Sequence, residues 1–140
     1  MNNIPIFDSL THPTIDGHWI LPKYPEYAGI DVLLENMEKN NIYKALAVGM
    51  KGIGSYDFEK YASFLKPYRD KLLPVAYVDF DILKKSNDID RYIKRAKELG
   101  YIAFKIHPRI SKLRLDDTRL DRFLKVIAEH NMPALFCTYF

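Results

Sequence analysis

The chain has 140 residues, of which 48% are hydrophobic and 28% are charged. This length accommodates one domain with a hydrophobic core, and the apolar fraction is too high for a disordered segment. No apolar run approaches the roughly 18 residues of a membrane span, and the N-terminus lacks the pattern of a secretory leader. The net charge of +3 is too small to indicate nucleic acid binding, so we expect a cytoplasmic protein without a membrane or nucleic acid partner.

The first predicted strand spans residues 4–10, and a long proline-containing connection at 11–29 follows it. Loops after the carboxyl end of a strand commonly form lids or pocket walls in α/β proteins. Residues 11–29 are therefore predicted to be a lid, with an ordered crossover as the alternative.

Four stretches place apolar residues at positions i, i+3, i+4 and i+7, which is typical of amphipathic helices. The four stripes are Ile30, Leu33, Leu34, Met37; Phe58, Tyr61, Ala62, Leu65; Ile89, Tyr92, Ile93, Ala96; and Leu120, Phe123, Leu124, Ile127. Asp57 and Asn87 are predicted N-caps, Gly100 is predicted to end the third helix, and Pro67 and Pro133 follow the second and fourth.

Between these helices lie short, continuous apolar segments at 45–50, 72–80, 102–106 and 134–140. Such strands suit a parallel sheet buried on both faces. The β-α alternation leaves two architectures open for a single domain over 1–140. One is five strands and four helices of a half-built (β/α)₈ barrel, and the other is an open doubly wound sheet. The first βα turn, 11–17, lacks the glycine-rich nucleotide fingerprint that a doubly wound sheet normally carries.

Polar side chains lie at the predicted carboxyl ends of the first and fourth strands, where α/β proteins place their chemistry. A regular strand would put Asp8, Leu10 and His12 on one face, and Lys105 and His107 on one face of another strand. Two strand-end histidines, each followed by proline, indicate a metal or acid/base site.

Three segments resemble one family. Residues 8–13, read as D-S-L-T-H-P, resemble the D-x-H-x-H opening strand of the amidohydrolase superfamily. Residues 100–108 are similar to the G-x-x-x-x-K-x-H-P strand of its amidohydrolase-2 branch, which includes aminocarboxymuconate-semialdehyde decarboxylase. Residues 131–138 are similar to the L-P-V-x-x-H-T-G strand of that branch. The resemblance covers the whole chain but only the N-terminal half of such a protein.

The resemblance implies a (β/α)₈ barrel with a divalent metal, usually zinc, that activates water or polarises a carboxylated substrate. Leu10 and His12 stand at the two strand-1 histidine positions, and Cys137 stands at the strand-5 position. The candidate metal ligands are thus His12, Cys137 and Asp8, since a cysteine thiolate can bind zinc. The candidate catalytic residues are His12, His107 and Lys105, and the candidate substrate-binding residues are Arg109 and Trp19.

The charge distribution is uneven. Residues 84–125 carry a net charge of +7, against −4 for the rest. Four of the basic residues in this segment, Arg91, Lys94, Arg95 and Lys97, belong to the third helix, on a face predicted to be solvated. Arg109 and its neighbours after the fourth strand are predicted to lie at the pocket rim, where they would attract a carboxylate or phosphate.

Three functional hypotheses follow. The first is a metal-dependent hydrolase or decarboxylase of a small, anionic or cyclic substrate. The second is an amidohydrolase-like protein that has lost its metal and acts in binding or assembly. The third is a metal-free hydrolase with His12 or His107 as general base. In all three, five strands would leave two open sheet edges. We therefore expect either a truncated chain or a half-barrel whose edges are covered by a homo-oligomer or a completing chain.

Overall fold

The computed structural model describes residues 4–19, 28–81, 83 and 86–137. Residues 20–27 of the predicted lid and the last three residues of the predicted fifth strand lie outside this part of the chain. Strands and helices alternate as β1 (Ile6–Thr11), α1 (Ile30–Lys39), β2 (Ile42–Val48), α2 (Phe58–Leu65), β3 (Leu72–Tyr77), α3 (Ser86–Glu98), β4 (Ala103–Ile106), α4 (Thr118–Glu129) and β5 (Ala134–Phe136).

All four predicted helices are present, and most of their end signals are confirmed. The Asp57 carboxylate accepts hydrogen bonds from the backbone N–H groups of Glu59 and Lys60, so it caps α2. Gly100 follows α3 with a φ of 83°, a left-handed conformation that glycine adopts without strain. The prediction of Asn87 as an N-cap is wrong, because α3 already begins at Ser86 and Asn87 lies inside its first turn.

Residue contacts divide the chain into two compact units, Met1–Val75 and Ala76–Phe140. In the first unit, β2 pairs in parallel with β1 and with β3, in a register running from Ala45 opposite Leu72 to Val48 opposite Val75. In the second unit, β4 pairs in parallel with β5. The strand order is β1-β2-β3-β4-β5, without the reversal that defines a doubly wound sheet. Five parallel strands in sequential order with four intervening helices are the arrangement of half a (β/α)₈ barrel.

Burial differs between strands that the sequence predicts to be alike. β4 is buried at all four positions, as a strand covered on both faces should be. β1 is buried only at Thr11, and Ile6, Phe7 and Leu10 are 50%, 40% and 46% exposed. The prediction that every strand is buried on both faces is therefore wrong for β1.

The pairing of β1 with β2 is also irregular. Asp8 lies opposite Ala45 and Thr11 opposite Ala47, so three steps along β1 match two along β2. Such a bulge breaks the alternation of side chains between the two faces. The prediction that Asp8, Leu10 and His12 share one face assumed a regular strand and does not hold across this irregularity.

The second unit has an aromatic core. Phe104 on β4 packs edge-to-face on Phe123 of α4 at a centroid distance of 5.3 Å, and Phe80 packs on Phe123 at 5.5 Å. All three rings are at most 1% exposed. This cluster holds α4 against the strand whose carboxyl end carries Lys105 and His107.

Candidate functional site

In the first unit, His12 directly follows β1 and is half-buried. Its Nδ1 lies 3.0 Å from the backbone carbonyl oxygen of Val48, at the end of β2. A carbonyl oxygen only accepts, so Nδ1 carries the proton and Nε2 of the neutral ring carries the lone pair. The Trp19 indole stacks on the imidazole at a centroid distance of 5.3 Å with 30° between the planes. The strand ends therefore hold His12 in the tautomer of a base or a metal ligand.

A small cavity lies beside His12. Its volume of about 10 Å³ is room for about one water molecule. Aromatic and aliphatic side chains dominate its wall, and His12 and Thr14 contribute the side-chain nitrogen and hydroxyl groups nearest β1. The lining residues are His12, Pro13, Thr14, Trp19, Val48, Gly49, Met50, Ile53, Gly54, Tyr56 and Tyr61.

The loops after β1 and β2 are tied together around this cavity. The Ile15 backbone N–H donates to the Gly54 carbonyl at 3.2 Å, and the Ser55 hydroxyl donates to the Asp16 carboxylate. This hydroxyl is the first cause that holds the pKa of Asp16 below its usual value. At Gly54, where φ is 56°, an added Cβ would lie 2.1 Å from the Thr14 Cβ. The close approach explains why glycine stands there.

Sequence reasoning missed these glycine contacts. A Cβ at Gly49 would lie 2.0 Å from the Tyr56 ring, so this position also requires glycine. The signal was present in the sequence, because Gly49, Gly52 and Gly54 fall within six residues directly after β2. Such clustering at the carboxyl end of a strand is typical of a close backbone approach.

Asp8 and Leu10 occupy the part of β1 where the resemblance implies a metal site. The Asp8 carboxylate accepts the backbone N–H of Leu10 at 3.0 Å. Leu10 stands at the first histidine position and has no lone pair to offer a metal. The Asp8 carboxylate therefore supports the backbone of β1 through its hydrogen bond with Leu10.

In the second unit, Lys105 lies on β4 and is only 5% exposed. His107 follows two residues later, and the backbone N–H of Ile110 donates to its Nδ1 at 3.4 Å. In the neutral ring the proton therefore lies on Nε2, the opposite tautomer from His12. Partial burial lowers the pKa of His107, and the positive charges of Lys105 and Arg109 lower it further. His107 is consequently neutral near pH 7 and presents an N–H donor.

The loop after β4 is compact. The backbone N–H of Ser111 donates to the His107 carbonyl at 3.0 Å, and that of Leu113 donates to the Pro108 carbonyl at 2.8 Å. The Ser111 hydroxyl also lies 2.8 Å from the Tyr77 hydroxyl at the end of β3. These bonds fix the segment that carries Arg109, whose side chain is exposed.

Cys137, the candidate ligand after β5, is a half-buried free cysteine whose backbone N–H donates to the Ile106 carbonyl at 3.0 Å. Within residues 4–19, 28–81, 83 and 86–137, no three His, Cys, Asp or Glu side chains form a group that could hold a metal ion. A catalytic zinc normally needs three protein ligands. The donor sets found in this part of the chain thus do not fit such a metal.

The structure brings the predicted residues together in two groups, one in each unit. His12 and Trp19 are in contact in the first, and Lys105, His107 and Arg109 interact electrostatically in the second. No helix in the described ranges has both the length and the apolar character to cross a bilayer.

Comparison with known proteins finds similar solved structures. The chain is similar to the crystal structure described as that of a "putative amidohydrolase from Staphylococcus aureus", with a TM-score of 0.67 and 14% sequence identity. The alignment covers 95% of this chain and 47% of that chain, so the chain spans about half the length of the structure that it matches. No protein-family model and no curated protein matches the sequence. The similarity shows that this chain has the fold of half a (β/α)₈ barrel.

Proposed function

We propose that the chain is the N-terminal half-barrel of an amidohydrolase-like hydrolase of the amidohydrolase-2 branch, which acts on a small substrate with His12 as its general base. One observation carries the proposal, namely the 3.0 Å hydrogen bond from His12 Nδ1 to the Val48 carbonyl. This bond leaves the lone pair of the neutral ring on Nε2, and His12 lines a cavity with room for about one water molecule. The fold similarity supports hydrolysis as the type of reaction.

In the proposed reaction, His12 Nε2 takes a proton from water as the water oxygen attacks the substrate carbonyl. The imidazolium then gives this proton to the leaving alcohol or amine as the C–O or C–N bond of the substrate breaks. A positioned base of this kind accelerates such a step by about 10²-fold to 10⁴-fold. The Val48 carbonyl stabilises the imidazolium that forms, because its hydrogen bond to Nδ1–H becomes charge-assisted. The stacked Trp19 ring adds a cation–π interaction with the same cation. In this proposal, Val48 and Trp19 thus stabilise the imidazolium that the reaction forms.

His107 and Lys105 have a different role in this proposal. Neutral His107 presents an N–H group and Lys105 an ammonium group, and both suit the stabilisation of negative charge rather than the removal of a proton. Arg109 is proposed to bind substrate from the same loop.

A zinc site formed by His12, Asp8 and Cys137 remains part of the proposal only as a prediction from the family resemblance. The Asp8 carboxylate supports the Leu10 backbone, and the described residues contain no group of three ligands. The mechanism above therefore uses no metal. Metal analysis of the purified protein and its His12→Ala variant tests the prediction, which requires near-stoichiometric zinc that the variant loses.

The test of the general base is the His12→Gln substitution, assayed on a panel of small esters, lactones and amides. We expect kcat to fall by about 10²-fold to 10⁴-fold with little change in KM, because the base acts in the transition state. His18→Gln is the matched control, since exposed His18 lies six residues away and contacts Asp16. Equal kcat values for wild type and His12→Gln would contradict the proposal.

A second candidate function is binding or assembly without catalysis. It is favoured by Leu10 at the first histidine position and by the exposure of Ile6, Phe7 and Leu10 on β1. A homo-oligomer or a completing chain that covers β1 would bury these side chains. Light scattering during gel filtration tests this candidate, which requires an assembly larger than one chain and no turnover of any substrate in the panel.

A further inference from the structure

We propose that the segment after β4 binds the oxyanion group of a small molecule, a carboxylate or a phosphate, through Lys105, His107 and Arg109. The inference rests on the proposed function only in taking this molecule to be the substrate, and binding can be measured without turnover. All three residues belong to the second unit.

The segment around the carboxyl end of β4 contains basic residues and no acidic ones. Residues 99–115 include Lys105, Arg109, Lys112, Arg114 and His107 but no aspartate or glutamate. No acidic residue of the segment balances Lys105, Arg109 or Lys112, whereas Arg114 pairs with Asp116 just beyond it. A bound anion is the simplest source of the missing negative charge.

Several basic side chains elsewhere in this unit are paired with carboxylates. Four such pairs, with nitrogen–oxygen distances of 2.7 to 3.1 Å, are Lys94–Asp90, Arg95–Glu98, Arg119–Asp117 and Lys125–Asp121. Arg114, at the end of the segment 99–115, is paired with Asp116 through two hydrogen bonds. Within the described ranges, no carboxylate pairs with Lys105, Arg109 or Lys112. Lys105, Arg109 and Lys112 thus differ from the paired basic residues of α3 and α4.

Lys105 differs from the exposed basic residues of this segment because its side chain is largely buried. Lys105 is 5% exposed as a residue, and no carboxylate in the described residues pairs with it. Its charge also acts on His107, two residues away. An anion bound beside Lys105 would supply the partner that this largely buried side chain lacks.

The segment offers three kinds of hydrogen-bond donor, an imidazole N–H, a guanidinium group and an ammonium group. Together they suit an oxyanion. The Ile110 N–H at His107 Nδ1 leaves the imidazole with an N–H on Nε2. Arg109 offers a planar guanidinium fork that can bind two oxygens at once, and Lys105 offers a point charge. The hydrogen bonds of Ser111 and Leu113 to the loop backbone hold Arg109 on an ordered turn, which reduces the entropy lost on binding.

The test is a titration of the whole chain with inorganic phosphate and, separately, with succinate, against potassium chloride at equal ionic strength. Backbone amide signals in NMR spectra report where the anion binds, and calorimetry gives the affinity. We expect signals at 103–113 to shift with phosphate or succinate but not with chloride. Comparison of the two anions shows which oxyanion group the site prefers.

Arg109→Ala should weaken binding by about tenfold to a hundredfold, since it removes a charge-assisted contact. Arg114→Ala is the matched control, because it removes the same charge from the same loop at an arginine already paired with Asp116. Lys105→Met should weaken binding at least as strongly, with circular dichroism to confirm folding. Absence of binding beyond that of chloride, or equal weakening by Arg109→Ala and Arg114→Ala, would overturn the inference. The kcat of His12→Gln is a separate measurement, so failure of one proposal is distinguishable from failure of the other.

Discussion

The two histidines that follow β1 and β4 adopt opposite neutral tautomers. His12 donates its Nδ1 proton to the Val48 carbonyl, whereas His107 accepts the Ile110 N–H at the same ring atom. Aromatic groups surround His12, and cations surround His107. The comparison indicates that the backbone group beside a strand end sets the tautomer of a histidine there, and so determines which ring nitrogen is a donor. The neutral ring therefore carries a lone pair on Nε2 in His12 and an N–H on Nε2 in His107.

The strands that carry the two histidines also differ in burial, and this difference gives the largest expected effect. Phe104→Ala on β4 should lower the free energy of unfolding by about 3–5 kcal/mol, because it leaves a cavity beside Phe123. Phe7→Ala on β1 should cost much less, since that ring is 40% exposed. Urea unfolding of both variants measures the contrast. Similar losses would show that β1 is as deeply buried in solution as β4, for example under a partner.

The surroundings of His12 are held by loop contacts, and two glycines test this. Gly54→Ala and Gly17→Ala both place alanine at a positive φ, which costs about 1–2 kcal/mol. Only Gly54 lies against Thr14, whereas nothing lies within 4 Å of a Cβ at Gly17. We therefore expect Gly54→Ala to destabilise the protein by about 1–3 kcal/mol more than Gly17→Ala, from overpacking. Equal destabilisation would mean that the loops after β1 and β2 do not approach closely.

Much of the fold follows from sequence periodicity. The four apolar stripes locate all four helices, because apolar residues that recur with a 3.6-residue period form a single face only when the backbone is helical. The exposure of β1 was not predictable, since an apolar segment does not reveal whether anything covers it. The irregular register of β1 was also not predictable, because a bulge depends on the pairing with β2 and not on the sequence of β1 alone.

The candidate site was predictable in its residue types but not in its proton positions. His12, Lys105 and His107 stood out because they end apolar strands. Nothing in the sequence identifies Val48 or Ile110 as the backbone partners that set the two tautomers, since these contacts depend on loop geometry. The roles of Asp8, Cys137 and a metal stay predictions.

The titration of His107 gives a smaller but more specific test of the comparison. Partial burial, followed by the charges of Lys105 and Arg109, lowers its pKa below the usual 6.5. Lys105→Met should raise this pKa, because a like charge is removed. Ring proton chemical shifts measured against pH give the value, with Arg114→Ala as the control. An unchanged His107 pKa in Lys105→Met would show that Lys105 does not act on His107. The chemical shifts of the ring nitrogens, measured at high pH, would check the tautomers of His12 and His107.

The folding equilibrium should respond to the same depression of the His107 pKa. A histidine whose pKa is lower in the folded state binds more protons when unfolded, so its contribution to stability declines as pH falls through 6.5. Lys105→Met should reduce this decline, whereas Arg114→Ala should leave it as in the wild type. Urea midpoints measured on either side of this pH, at about pH 7.5 and about pH 5.5, provide the measurement. A decline of equal size in all three proteins would assign the pH dependence to other groups.

The smallest effect is expected at Asp117, the N-cap of α4, which packs behind β4. Its carboxylate accepts the Arg119 backbone N–H at 2.8 Å and pairs with the Arg119 guanidinium. These bonds, the guanidinium first, lower the pKa of Asp117 from 3.8 to about 2. A carboxyl group with a depressed pKa stabilises the fold above the unfolded value, and this stabilisation disappears as pH falls from 3.8 towards about 2. Asp117→Asn keeps a capping oxygen but does not titrate, so its urea midpoint should fall less over this pH range than that of the wild type. Identical pH profiles would mean that Asp117 and Arg119 interact too weakly in solution to hold the start of α4.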